Sequence, residues 1–500
     1  MPTPSLLIAV DQGTTGTRTY VFDRRGEVLG SAYREHAQHF PQAGWVEHDA
    51  SELWENTQAT GRAALRAAGI AVSAAPRHLA GLGITNQRET VVLWERTGSK
   101  PVHRAIVWQC RRTAPRCEEL LKRGWGPKIR RRTGLEVDAY FSGTKAEWLL
   151  KHVPGARAGA ESGKLALGTV DTWLLWNLSG GKAHATDYSN ASRTLLYDIR
   201  KRRWDPELLR LLSVPQKLLP QVQASASYFG VTAPAAFCGG GIPITGIAGD
   251  QQAALFGQGC TRPGEMKNTY GTGCFLLLNL GARWRASRHR LLTTLACGED
   301  GGPVFALEGA VFIGGAAVQW VRDQLGLIKR AAETEAICRS LKDNGGVHLV
   351  PAFVGLGAPY WDSRARGVLT GLTRASSSAH VVRAAVESMA FQSAELARSM
   401  EADSGLKIKR LRVDGGASRN DWLMQFQADL LGAQVERPAQ VETTALGAAL
   451  LAGLGAGLLK PSEGRRFAGK VKRFPPKLSL KARTAALEAW KKAVRQARAV

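Results

Sequence analysis

Five hundred residues exceed what one hydrophobic core usually serves, so two domains, or one domain duplicated, are expected. The apolar fraction of 44% and charged fraction of 22% are ordinary for a globular protein, and no apolar run approaches the roughly 18 residues of a membrane-crossing helix. A formal charge of +25 invites a nucleic-acid reading, but its distribution argues otherwise. Residues 460–498 hold 13 lysines or arginines against two acids, with smaller basic clusters at 122–132 and 283–290, and none interleaves aromatics or carries helix-turn-helix or finger spacing. Solvated basic faces, and no nucleic-acid partner, are expected.

The first apolar run, residues 6–10, stops at Asp11, too short for the core of a secretory signal, which points to a cytoplasmic address. Residues 6–10 and 19–22 read as the two strands of a hairpin around a Gly-rich turn. A helix over 51–68, started by Ser51 or Asp49 and closed by Gly69, and a strand over 79–84 follow. After Gly239-Gly240-Gly241 and Pro243 comes a strand over 244–248 that runs to Asp250. The pattern restarts past Pro263, where residues 267–273 and 274–280 give strands around a Gly/Thr turn that echoes the first hairpin. Helices are expected over 378–403, closed by Gly405, and over 422–431, closed by Gly432. Strands alternating with helices define an α/β chain, and the echo divides it into residues 1–258 and 259–500. Seven scattered cysteines without a C-x-x-C pair read as buried free thiols, and no protein-only metal site is expected.

The phosphate loop GxxxxGK[ST] is absent; residues 159–165 come nearest and end in Leu165, where a hydroxyl is needed. Three other segments offer backbone N–H groups, hydroxyls and a cation for phosphates. In Asp11-Gln12-Gly13-Thr14-Thr15, Gly13 permits close backbone approach, Thr14 and Thr15 are donors, Arg18 offsets charge, and Asp11 suits magnesium. Residues 269–273 repeat the arrangement. In Asp414-Gly415-Gly416-Ala417-Ser418, the glycines would admit a base or phosphate before a helix whose capping box is expected from Ser418 and Asp421. Taken singly, each of these could be a plain turn.

Together the three segments resemble the actin, hexokinase and sugar-kinase superfamily, and within it the FGGY carbohydrate kinases. The likeness to the branch of that family that phosphorylates glycerol rests on long stretches. These are Gly44-Trp45-Val46-Glu47-His48-Asp49, residues 83–90, residues 106–113, residues 186–194 and residues 246–257. The resemblance implies two RNase H-like domains of the actin-like ATPase type flanking a catalytic cleft, with the polyol site, the first phosphate loop and the catalytic Asp in 1–258 and the nucleotide site in 259–500. It implies ATP and Mg2+ as cofactors, glycerol as the acceptor, no membrane insertion and a homo-oligomer, dimer or tetramer.

Residue by residue, the resemblance makes Asp250 the general base. Arg88, Glu89, Trp108, Tyr140, Asp250, Gln251 and Phe275 become the polyol contacts. Thr14, Thr15, Gly16, Arg18, Thr272, Gly315, Gln319, Gly416 and Asn420 become the nucleotide contacts, and Asp11 and Asp250 reach the metal through the nucleotide or water. The chemistry suits those types: a guanidinium donates to polyol hydroxyls, a carboxylate accepts from them, and aromatic rings wall the carbon chain. Without the resemblance, Arg88-Glu89 would read as a surface pair, the aromatics as core, and Asp250 as a helix cap.

Two departures stand out. Gly16 and Thr17 replace a pair of serines found in many relatives, which removes a hydroxyl from the phosphate loop. Gly241 stands where regulated relatives place an arginine that helps bind fructose 1,6-bisphosphate, so that feedback site is not carried over. The competing readings are a kinase of the same fold acting on another polyol or a pentulose, an actin-like or chaperone-like ATPase, and a nucleic-acid binder acting through the basic tail.

Overall fold

The computed structural model describes residues 4–362, 364–439, 442–463 and 470–499. They fall into two compact units, each assembled from several stretches of chain. The first comprises Met1–Thr261, Thr293–Phe305 and Thr443–Phe467; the second comprises Arg262–Leu292, Ala306–Glu442 and Ala468–Val500.

In the first unit, β1 (Leu6–Gln12), β2 (Gly16–Phe22), β3 (Val28–Glu35), β4 (Leu79–Asn86), β5 (Ala226–Val231) and β6 (Pro243–Gly249) form one sheet in the order β5-β6-β4-β1-β2-β3. β1 pairs antiparallel with β2 and parallel with β4, β4 pairs parallel with β6, and β6 pairs antiparallel with β5. Strand alternation sends Ile8, Val10, Val21, Leu82, Ile84 and Ile247 to one face, against Leu53, Ala64 and Leu65 of the helix Ala50–Ala67. That helix starts where Asp49 accepts from the Ser51 N–H at 2.8 Å.

Leu7, Ala9, Tyr20, Phe22 and Ala248 face the other way, against the helix Thr443–Gly455. With both faces covered, β1 reads as a continuous apolar run rather than an alternating one. The covering helix is apolar all round, as a helix buried on every side must be. It lies directly on glycines of the sheet: a Cβ at Gly83 would stand 2.2 Å from the Ala448 carbonyl oxygen, and one at Gly246 would stand 2.4 Å from the Ala452 nitrogen.

In the second unit, β7 (Met266–Tyr270), β8 (Cys274–Gly281), β9 (Arg410–Asp414), β10 (Gln434–Pro438) and β11 (Val471–Phe474) run in the order β8-β7-β9-β10-β11. β7 pairs antiparallel with β8 and parallel with β9, β9 parallel with β10, and β10 antiparallel with β11. This is the pairing sequence of β2, β1, β4, β6 and β5, with one difference in connection: the edge strand β5 precedes its neighbour β6 in the chain, whereas β11 follows β10. The basic tail is partly structural. In the helix Leu480–Arg498, Trp490 is buried and stacks on Phe391 with centroids 5.0 Å apart, and Arg498 pairs with Asp362 at 3.2 Å; on β11, Lys472 pairs with Asp421. Arg465 and Arg466 lie outside the described residues.

All seven cysteines are free and buried, as their scatter suggests, and burial pushes the Cys117 and Cys274 thiols up to about 12. Among the described residues no helix is long and apolar enough to cross a membrane.

Candidate active site

The β1–β2 turn closes with the Gly13 N–H donating to the Gly16 carbonyl at 2.9 Å. Asp11 lies directly across the hairpin from Arg18, and the Arg18 guanidinium sits 4.7 Å from the centroid of the Tyr33 ring on β3. Gly16 is packed beneath the same ring. A Cβ there would meet Tyr33 Cε2 at 2.5 Å and the Arg34 carbonyl oxygen at 2.7 Å. The missing serine hydroxyl is thus excluded by a neighbouring side chain as well as absent from the sequence.

β4 ends in Asn86, and the chain then makes a tight three-residue turn in which the Thr90 N–H donates to the Arg88 carbonyl at 2.8 Å. Glu89, at its centre, has a φ of +63°, a left-handed conformation that is rare and costly outside glycine. The turn aims two oppositely charged side chains into the interior. Arg88 and Glu89 are 3% and 1% exposed, so this is no surface pair.

Arg88 Nε lies 3.0 Å from Asp250 Oδ1, its Nη1 donates to Gln252 Oε1 at 3.2 Å, and its Nη2 reaches the Tyr140 hydroxyl at 3.5 Å. Glu89 Oε1 accepts from Arg193 Nε at 2.6 Å, and the Glu89 carbonyl accepts from Ser142 Oγ at 3.1 Å. Trp108 and Tyr140 stand edge to face, 5.6 Å apart at 68°. Beneath them, buried Lys145 donates to the Tyr140 carbonyl at 2.5 Å, and desolvation lowers its pKa to about 8.

Asp250 opens the helix Asp250–Gly257, with Gly249 as the capping residue, so Asp250 is not itself the cap. Its Oδ1 also accepts from the Gln251 N–H at 2.7 Å, and its Oδ2 from Gln251 Nε2 at 3.3 Å. The carboxylate remains 32% accessible while Arg88 holds it. Asp11 of β1 and Ala248 of β6 are both in register with Thr85 of β4, so Asp11 and Asp250 belong to the carboxyl ends of strands flanking β4. Open α/β sheets characteristically bind ligands at that end.

In the second unit, the β7–β8 turn closes with the Gly271 N–H donating to the Gly273 carbonyl at 2.9 Å, the counterpart of the Gly13–Gly16 bond. The Gly315 N–H, at the start of the helix Gly315–Asp323, donates to the Gly271 carbonyl at 2.9 Å and ties helix to turn. A cavity of about 420 Å3 is lined by Thr272, Gly315, Gln319, Gly416 and Asn420 among others. Gly415 has a φ of +83° and backs onto the Tyr270 backbone, where a Cβ would meet the Tyr270 carbonyl oxygen at 2.5 Å. At Gly416 a Cβ would meet nothing within 4 Å. Phe275 is half-buried on β8, opposite Thr269.

The capping box expected from Ser418 and Asp421 is corrected. The helix Asp421–Leu431 is capped by Asn420, whose Oδ1 accepts from the Leu423 N–H at 2.9 Å, while Ser418 Oγ donates to the Gly415 carbonyl at 2.7 Å. A short 3-10 turn over Gly416–Arg419 moves the start of the helix beyond Ser418.

Sequence reasoning missed Arg193, Gln252 and Ser142. Arg193 sits inside the quoted 186–194 stretch and Gln252 inside 246–257, so the signal was the stretch rather than the residue. Within Gly44-Trp45-Val46-Glu47-His48-Asp49, Trp45 and Glu47 grip Arg112, the guanidinium lying 3.8 Å from the Trp45 ring centroid and 2.6 Å from Glu47 Oε1.

The repeated α/β units with paired Gly/Thr turns define a phosphotransferase-type scaffold, and comparison with known proteins identifies the family. Residues 6–257 match the N-terminal domain and residues 266–456 the C-terminal domain of the FGGY family of carbohydrate kinases, and the chain belongs to that family. It is 53% identical over 497 residues to "Glycerol kinase" of Carboxydothermus hydrogenoformans, with 99% of each chain covered. It is 54% identical over 489 residues to "Glycerol kinase" of Dechloromonas aromatica, covering 98% of this chain and 96% of the relative. Among solved structures, Plasmodium falciparum glycerol kinase with ADP superposes with a TM-score of 0.92 at 33% identity, covering 99% of this chain and 98% of that one.

Proposed function

We propose that this chain transfers the γ-phosphoryl group of ATP to glycerol, giving sn-glycerol 3-phosphate, within cytoplasmic glycerol uptake and degradation. The observation that carries the reading is the buried Arg88, which holds the Asp250 carboxylate at 3.0 Å beside the Glu89–Arg193 pair and the Trp108–Tyr140 wall. Relatives named glycerol kinase, more than half identical over nearly the whole chain, support glycerol over a pentulose or a longer polyol.

In this mechanism Arg88 donates to polyol hydroxyls, Glu89 and Gln251 bind others, and Trp108, Tyr140 and Phe275 wall the carbon chain. Asp250 accepts the proton of the terminal hydroxyl as that oxygen attacks phosphorus in line with the leaving ADP oxygen. Thr14, Thr15, Gly16 and Arg18 hold the phosphates from the 1–258 domain. Thr272, Gly315, Gln319, Gly416 and Asn420 hold the nucleotide from the 259–500 domain. Phosphoryl transfer gains most from such positioning and charge neutralisation.

The donor set fits magnesium carried by the nucleotide. No group of three or more His, Cys, Asp or Glu gathers among the described residues, whereas Asp11 and Asp250 are hard oxygen donors at the carboxyl ends of the strands on either side of β4, as suits an ion held by one or two carboxylates plus phosphate. The ion would supply charge neutralisation on the phosphates. A dimer or tetramer follows from the family resemblance and is read by light scattering.

A panel of polyols and ketoses tests the substrate: glycerol should show the highest kcat/KM, and a better substrate elsewhere in the panel overturns the reading. Asp250→Asn should lower kcat about 100- to 10,000-fold with ADP binding retained. Undiminished turnover would remove Asp250 from its role.

A further inference from the structure

Six residues of the first unit form a closed ring of hydrogen bonds. Trp108 Nε1 donates to Thr14 Oγ1 at 3.0 Å, and the Trp108 backbone N–H donates to Thr90 Oγ1 at 3.2 Å. Thr90 Oγ1 donates in turn to Gln87 Oε1 at 2.9 Å. Gln87 Nε2 lies 3.2 Å from His48 Nδ1, and His48 Nε2 lies 2.8 Å from Gln38 Oε1. Gln38 Nε2 returns to the Thr14 carbonyl at 2.8 Å and closes the circuit. Gln12 braces it from inside, accepting from Gln87 Nε2 at 3.0 Å and donating to the Gly13 carbonyl at 2.7 Å.

Donor chemistry sets the directions in this ring, the two amide protons of Gln87 being shared among Gln12 Oε1, the Gly13 carbonyl at 3.1 Å and His48 Nδ1. Gln38 spends its amide N–H on Thr14, so the oxygen it turns to His48 accepts, and His48 Nε2 carries the proton. His48 Nδ1 is then bare and accepts from the Gln87 amide, whose own oxygen is left for the Thr90 hydroxyl. Thr90 Oγ1, having donated its proton, is free to accept from the Trp108 backbone. The ring is consistent with one histidine state only, the neutral Nε2–H tautomer. Burial, with His36 and His39 nearby, drives the His48 pKa down to about 3, which keeps that state at neutral pH. His48 and Thr90 are fully buried and Gln87 is 2% exposed, so no water substitutes for a lost member at low cost.

We infer that His48, with Gln38, Gln87 and Thr90, is a positioning residue that locks the Trp108 wall to Thr14 of the phosphate turn and so couples polyol binding to nucleotide binding. The inference rests on the glycerol and ATP roles proposed above. Its physical link is the Thr14 hydroxyl. Once Oγ1 accepts from the indole N–H, its own proton points elsewhere and is available to a phosphate oxygen. A polyol that orders Trp108 therefore also orders that donor. A network satisfied in one arrangement transmits such ordering in both directions, since linkage requires reciprocity. The ring also gives His48 a role within the 44–49 stretch.

The test is the factor by which saturating glycerol tightens ADP binding, measured by titration calorimetry on the full chain. The unmodified protein should show a factor well above one. Gln38→Met, at a half-buried position that contacts neither proposed ligand, should bring the factor at least threefold closer to one, and His48→Leu should do the same. His48→Gln, which again offers an acceptor and a donor, should recover much of it. Thermal unfolding checks that each variant folds, and loss of stability alone does not change this ratio. A factor of one in the unmodified protein, or an unchanged factor in Gln38→Met, overturns the coupling while glycerol phosphorylation stands. A protein that neither binds nor phosphorylates glycerol overturns the function itself, and the coupling falls with it.

Discussion

Around Arg88 the first unit presents charged side chains already paired with one another, whereas around Gly416 the second presents bare backbone and a cavity of about 420 Å3. The proposed polyol side is crowded and polar: Arg88, Glu89 and Arg193 are each 3% exposed or less, and each has a partner within 3.0 Å. On the proposed nucleotide side, Gly416 leaves room, with nothing within 4 Å of an added Cβ. The difference follows from the proposed ligands. A three-carbon polyol offers little surface, so its site needs fixed directional partners, and buried charges survive only when they hold each other. A nucleotide offers a large flat base and phosphates, which shape and backbone N–H groups can hold.

The comparison breaks most sharply at Arg193. Arg193→Met removes the nearer of two guanidinium partners, at 2.6 Å against 3.9 Å for Arg88, from the buried Glu89 carboxylate and should cost about 3 kcal/mol in denaturant unfolding. It should also raise the glycerol KM while leaving the nucleotide side of the second unit untouched. An unaltered glycerol KM would show that the pair is scaffolding alone.

On the open side, Gly416→Leu places a side chain where nothing now stands within 4 Å and should raise the KM for ATP about tenfold, equivalent to about 1.4 kcal/mol, with glycerol affinity little changed. A proportional rise in both constants would refute the division of labour between the units.

Gly16→Ser adds a hydroxyl to the turn but drives Cβ into Tyr33 and the Arg34 carbonyl. It should destabilise by about 1–2 kcal/mol, and adding Tyr33→Ala should return part of that. No recovery in the double variant would place the whole conflict on the β3 backbone.

The smallest expected effect is on pH dependence. His48 has a folded pKa of about 3 against an ordinary 6.5, so between those values the unfolded chain binds a proton that the folded chain does not. Its contribution is full above the ordinary value and is lost as pH falls toward the folded one. His48→Gln has no such loss, so its stability deficit relative to the parent should narrow by up to about 1 kcal/mol between roughly pH 6.5 and 5.5. Denaturant midpoints at the two pH values measure it, and a constant gap would mean that His48 is not held neutral.

Much of the scaffold was legible from short-range pattern. The apolar run before Asp11, the glycines of both turns and the helix closed by Gly405 reflect local backbone preferences that need no distant partner, and each forms. Arg88-Glu89 was legible only through resemblance, because nothing local distinguishes a buried ion pair from a surface one.

What stayed hidden depends on residues far apart in the chain. The apolar helix Thr443–Gly455 belongs to the first unit because Gly81, Gly83 and Gly246 leave backbone bare for it, a complementarity that exists only once the sheet is built. A single cut near residue 258 cannot express that return. Arg193 meets Glu89 across 104 positions and His48 meets Gln87 across 39. The sequence by itself therefore determined the repeated α/β pattern, the phosphate turns and the candidate side chains. Tertiary structure alone decided which of those side chains face one another, because hydrogen-bond and charge partners are chosen by distance in space, and folding sets that distance independently of separation along the chain.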